Sequence, residues 1–132
     1  MKRMILAAPL LMVMFAFAGA PVTSGMNINP QREEAVVEFT ELVKMQGVLL
    51  RGQYLISHDD TKMAAGEPCL SIYTMKAGKR DKLVISIHCE PVARERAAQF
   101  TVTLSPRSSA NAVREVREIQ FAGIAKGHRI PQ

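Results

Sequence analysis

At 132 residues the chain has room for one domain, and with no tryptophan and only 5% aromatic residues it offers little stacking surface to nucleic acid. Its formal charge of +5 and its eight methionines overstate what a folded domain would carry, because part of both sits in an N-terminal segment that reads as a targeting signal. These features exclude a multidomain enzyme and argue against a nucleic-acid partner.

The first stretch, MKRMILAAPLLMVMFAFAGA, has the anatomy of a signal peptide: Lys2 and Arg3, then an apolar run over residues 4–17, then Ala16-Phe17-Ala18 as a small-x-small cleavage pattern. Ala18-Gly19-Ala20 also fits, but a cut there would leave Pro21 first, so cleavage after Ala18 is favoured. As a helix, residues 4–18 would reach about 22 Å, short of the roughly 30 Å hydrocarbon core. A retained anchor is therefore the lesser reading. With no twin arginine and no lipidatable cysteine near the cut, the expected destination is the periplasm or the outside, with no transmembrane segment in the mature chain. Losing Lys2 and Arg3 takes Lys+Arg from 17 to 15 against 12 acidic residues, a net +3. Met1, Met4, Met12 and Met14 leave with them. The expected organisation is residues 1–18 as signal peptide, 19–34 as a flexible leader rich in Gly, Pro, Ser and Asn, and 35–132 as a single β domain.

Residues 31–45 admit two readings. Asn29-Pro30 followed by Glu33-Glu34 resembles a helix start, yet AVVEFTELV is β-branched and alternates. A strand over about 36–45 is favoured, with a helical turn before it as the alternative. Gln46-Gly47 turns the chain, Arg51-Gly52 kinks it, and QYLISH (53–58) is a strand. DDTKMAAGEP (59–68) is a loop with one helical turn capped by Asp59 or Asp60, closed by Glu67-Pro68.

The organising stretch is 69–89: CLSIYTM, KAGKRDK, LVISIHC. Two β-rich runs flank a polar segment with one glycine, the pattern of a β-hairpin. Folded about Lys79, Met75 faces Leu83, Tyr73 faces Ile85, Ser71 faces Ile87 and Cys69 faces Cys89. This register gathers an apolar face from Cys69, Tyr73, Met75, Leu83, Ile85 and Ile87, broken only by Ser71. Directly opposed Cα atoms at a non-hydrogen-bonded position lie about 4.5 Å apart, near the lower limit for a disulfide. An exported chain with two cysteines has one possible pairing, so a Cys69–Cys89 bond is expected.

Beyond the hairpin, VARERAA (92–98) reads as a short helix with Pro91 near its start. FTVTL (100–104) is a strand. Residues 113–122 suit a helix through Val113, Val116 and Ile119, or a strand through Arg117, Ile119 and Phe121; the strand is favoured. The tail GIAKGHRIPQ reads as polar. Together these predict an all-β fold, a small antiparallel β-sandwich or barrel of about six strands with one or two helical turns.

The pieces HDDTKMAAGEPC, LVISIHCEPVARERA, FTV and FAGIAKGHRIP resemble a group of small exported β proteins common in acidobacterial genomes. The resemblance spans about residues 39–131 and implies a fold and a location but no activity.

Three sets of residues invite a chemical reading. His58, Asp59, Asp60, Met63, His88 and His128 mix imidazole, carboxylate and thioether in a way that suits copper or zinc. His58, Met63 and His88 are the expected ligands of that alternative, although no C-x-x-C, H-x-x-H or H-E-x-x-H spacing supports it. Neighbouring His88 and Cys89 would point to opposite faces of a strand. His58 beside Asp59 and Asp60 could do acid/base work, but no G-x-S-x-G nucleophile accompanies them, and no enzyme activity and no cofactor are expected. Lys76, Lys79, Arg80 and Lys82 crowd the hairpin tip, as a contact for an anionic surface or as a solvated turn that discourages edge pairing. The expected role is that of a binding or structural cell-envelope protein with an unknown protein or envelope partner. Periplasmic metal binding is the alternative.

Overall fold

The computed structural model describes residues 32–132. The expected signal peptide, its expected cleavage site and most of the expected leader lie outside the described residues. Arg32, Glu33 and Glu34, expected at the end of the leader, instead begin the first strand.

Eight strands and one short helix follow in order: β1 (Arg32–Met45), β2 (Val48–Asp59), α1 (Asp60–Ala64), β3 (Leu70–Lys76), β4 (Lys79–Ile87), β5 (Glu90–Ala93), β6 (Thr101–Leu104), β7 (Arg114–Gln120) and β8 (Lys126–Arg129). β1 settles the first ambiguity by strict alternation. Glu33, Ala35, Val37 and Phe39 turn inward while Arg32, Glu34, Val36 and Glu38 face solvent. The β1–β2 hairpin closes at Gln46-Gly47 and the β3–β4 hairpin at Ala77-Gly78, two-residue turns with positive φ at both central positions (46° and 82°; 51° and 72°). Such turns match the right-handed twist of the strands they join. Alanine pays about 1–2 kcal/mol to sit left-handed. Ala77→Asn, which restores the preferred Asn-Gly pair, should therefore stabilise the protein by roughly 0.5–1 kcal/mol in urea unfolding. An unchanged midpoint would argue against this turn.

The strand order is β4-β3-β2-β1-β7-β8-β5, with β6 also on β7. β7 is the corner. Its first residues pair parallel with β1 (Val43↔Arg114, Lys44↔Glu115), and its later ones pair antiparallel with β8 (Glu118↔Arg129, Ile119↔His128). One core then draws on both halves: Phe39, Val43 and Met45 from β1, Leu50 and Ile56 from β2, Leu70 and Ile72 from β3, Ile87 from β4, and Val116, Ile119, Phe121 and Ile130 from the C-terminal part. Each such side chain contributes roughly 1.5–3 kcal/mol on leaving water. Among the described residues the fold is mostly β as expected, but it corrects the expectation in three respects: eight strands, a mixed sheet, and no closed barrel.

The central hairpin forms with a different register. Leu70 pairs Ile87, Ser71 pairs Ser86 and Ile72 pairs Ile85, with irregularities on either side of Tyr73. The tight Ala77-Gly78 turn, rather than a bend about Lys79, dictates the pairing at the tip, and the irregularities shift it toward the core. The buried face is consequently Leu70 and Ile72 with Ile87, while Leu83, expected inside, is 55% exposed. Two further expectations are corrected. Of residues 92–98, expected as a short helix, Val92 and Ala93 instead belong to β5, paired with β8, and 94–98 are not helical. Pro91 is accommodated because β5 is the last strand of the sheet order. The polar-looking tail contains β8, in which His128 is buried at 0% exposure, and Ile130 just after it is buried at 1%.

α1 is the expected helical turn. The Asp59 carboxylate accepts from the backbone N–H groups of Thr61 and Lys62 at 2.9 and 3.2 Å. No helix among the described residues is long and apolar enough to cross a membrane.

Candidate functional site

Glu33 and His58 are direct cross-strand partners on β1 and β2, so their side chains emerge on the same inward face. His128 comes from β8, in the other half of the sheet. Its ring lies 3.8 Å from that of His58, centroid to centroid, and Phe121 flanks both at 6.0 and 6.4 Å. The Glu33 Oε2 atom is 3.4 Å from His58 Nδ1 and 3.6 Å from His128 Nε2. Both imidazoles are fully buried, and the Glu33 side chain is 14% exposed.

Glu33 Oε2, His58 Nδ1, His58 Nε2 and His128 Nε2 are all buried without a hydrogen-bond partner. Buried polar atoms nearly always have one, and each left without costs on the order of 1–3 kcal/mol. Three side chains meet here at ion-pair distance without closing a hydrogen bond, which leaves room for an ion to satisfy them. The imidazoles of His128 and, second, His58 hold the Glu33 carboxyl well below its ordinary range, down to about 2, against the opposing effect of burial. The carboxylate is thus charged at any physiological pH, ready to face a cation.

The spacing fits a metal. Ligands about 2.0–2.2 Å from a tetrahedral zinc lie about 3.3–3.6 Å from one another. That is the separation of Glu33 Oε2 from each imidazole nitrogen, and the three ligand atoms all fall within 4.8 Å of one another. Asp60 Oδ1 stands 3.7 Å from His58 Nδ1 at the rim, tied to Lys126 Nζ at 2.8 Å.

The expected disulfide is present. Cys69 and Cys89 are bonded across a Cα–Cα distance of 6.4 Å. Cys69 donates its N–H to Ile87 at 3.1 Å and accepts from Asp59 at 2.9 Å, which pins it between the ends of β4 and β2. The bond sits beside the histidines: Cys89 Sγ is 3.8 Å from His128 Nδ1.

Of His58, Met63 and His88, the three ligands expected from sequence, only His58 joins this group. His88 is exposed between β4 and β5 and belongs to neither cluster of candidate ligands among the described residues, and Met63 is half-buried on α1. Asp59 is the helix cap. Lys76, Lys79, Arg80 and Lys82 are exposed around the hairpin turn, where the Arg80 guanidinium lies 4.8 Å from the centre of the Tyr73 ring and 3.6 Å from Glu34. Glu33 was missed as a ligand although alternation back from Phe39 and Val37 turns it inward. His128 belongs to the wider metal set read from sequence but not to its three expected ligands; its alternation with Ile130 is the signal that turns it inward. Comparison with known proteins yields no matching family model, no matching curated protein and no matching solved structure, so the reading of this site rests on its own geometry.

Proposed function

We propose that this disulfide-stapled β domain is an exported metal-binding protein that holds one first-row divalent cation, of which zinc is representative, through Glu33, His58 and His128. The observation that carries the proposal is the convergence of three buried, unpartnered atoms at the meeting point of the two halves, with Glu33 Oε2 at 3.4 Å from His58 Nδ1 and 3.6 Å from His128 Nε2. Two imidazoles and a carboxylate form a borderline set suited to zinc, copper or iron. The role is binding rather than turnover, because both histidines are fully buried and a substrate would find no approach. The partly exposed Glu33 and Asp60 side chains give an ion its entry.

The test is a zinc titration of the full chain, disulfide intact, stripped beforehand with a chelator and read by competition with a chromophoric indicator. One equivalent should bind with a Kd of ~1 μM or tighter. Glu33→Gln preserves shape while removing the charge, and should weaken binding by at least about 30-fold with an unchanged circular dichroism spectrum. Failure of the wild-type protein to bind zinc, copper or iron stoichiometrically would end the proposal.

A further inference from the structure

The disulfide is placed where its sulfur atoms would be metal ligands if they were free. A ring nitrogen of His58 and the two Sγ atoms of Cys69 and Cys89 all lie within 4.8 Å of one another. His128 presents Nε2 to Glu33 at 3.6 Å and Nδ1 to Cys89 Sγ at 3.8 Å. The histidines therefore stand between two sets of donors, a carboxylate on one side and a pair of sulfurs on the other. Cys69 is only 3% exposed, yet it lines a small polar cavity of about 90 Å³ with Arg32, Lys62, Asp59, Ser57, Ser71 and Tyr73. Thiol–disulfide exchange needs a thiolate to reach one sulfur. Two cations, Arg32 and Lys62, against one carboxylate, Asp59, leave the lining net positive toward an arriving anion.

We infer that the Cys69–Cys89 bond is a redox switch on the metal centre: its reduction by a small dithiol supplies two sulfur ligands beside His58 and His128 and tightens the site for zinc. This rests on the metal-binding reading above. A thiolate of the dithiol attacks Sγ of Cys69, the cysteine that lines the cavity. The S–S bond breaks and Cys89 leaves as a thiolate, which takes up a proton. The second thiol of the reductant then attacks the mixed disulfide and releases Cys69. Two electrons and two protons pass from the dithiol to the cysteines, and the reductant ends as its own disulfide. A divalent cation then displaces two thiol protons and is held by sulfur and imidazole, donors that suit zinc better than a single carboxylate does. Oxidation reverses the change and returns the cation to the weaker set.

The experiment uses the full chain in three forms, each titrated with zinc against a competing chelator and, separately, with cadmium, whose bonds to thiolate absorb in the ultraviolet. The forms are oxidised wild type, wild type reduced with a phosphine and freed of it without oxygen, and the Cys69→Ser/Cys89→Ser double variant. Reduction should raise zinc affinity by at least about 100-fold and produce the cadmium–thiolate band. The double variant should keep the oxidised affinity and show neither change. A reduced protein that remains folded by circular dichroism, binds zinc no more tightly and shows no band would overturn the switch. So would a reduced protein that unfolds and is not refolded by zinc, or a gain that persists without the cysteines. If instead the oxidised form binds no metal, the Glu33 set itself fails, and the control of it fails as well.

Discussion

Replacing Cys69 and Cys89 together by alanine should lower the unfolding free energy of the metal-free protein by roughly 3 kcal/mol. For a domain of this size that corresponds to a fall in Tm of about 12–20 °C. The bond spans 20 positions, and closing a loop of that length removes entropy chiefly from the unfolded chain. The native hairpin keeps the rest of its pairing without it, because Leu70↔Ile87 and Ile72↔Ile85 hold the strands by backbone bonds and burial. The loss should therefore appear as reduced stability with the β-sheet spectrum preserved at low temperature. Chemical denaturation of the variant and the oxidised parent gives the difference directly. A difference under about 1 kcal/mol would show that the closure contributes little beyond what the strands already provide.

Acid should expose the second large effect, again in protein stripped of metal. The Glu33 carboxyl has its value depressed from 4.5 to about 2, first by His128 and then by His58. A carboxyl whose folded value lies below its unfolded one binds fewer protons when folded. Its contribution is then complete above the unfolded value and fades as pH drops toward the folded one. Between about pH 5 and pH 2 the parent should lose roughly 2–3 kcal/mol through this group. Glu33→Gln should be less stable than the parent by a comparable amount at neutral pH, and the two should converge near pH 2. The measurement is urea unfolding across that range. Parallel curves for parent and variant would show that Glu33 is not held by its two neighbours.

The strands that alternate clearly were legible in the sequence. Val37 and Phe39 marked β1, Tyr54 and Ile56 marked β2, and Phe100, Val102 and Leu104 marked β6. Asp59 was readable as a helix cap because its side chain acts on residues two and three positions away. Where short segments carried mixed signals, local propensity misled. VARERAA looks helical, yet its first residues complete a strand because β8 offers Pro91, Val92 and Ala93 a partner and an isolated turn of helix has little to hold it. In the hairpin, composition located the two strands but not their register. The positive-φ turn at Ala77-Gly78 and the irregularities on either side of Tyr73 shifted the pairing, and with it the buried face.

The sequence by itself determined that this is a β protein, that its two cysteines are partners, and that His58 sits at the end of an inward-facing strand. Those outcomes depend on period-two alternation and on there being one possible pair of thiols, both of which are local or combinatorial facts. The tertiary structure alone decided that Glu33 and His128 are the residues His58 meets. They lie near opposite ends of the described chain, and they come together only because β7 pairs first with β1 and then with β8, bringing the two halves of the sheet face to face. Nothing in the spacing of residues along the chain encodes that meeting, since it is set by how the whole core closes.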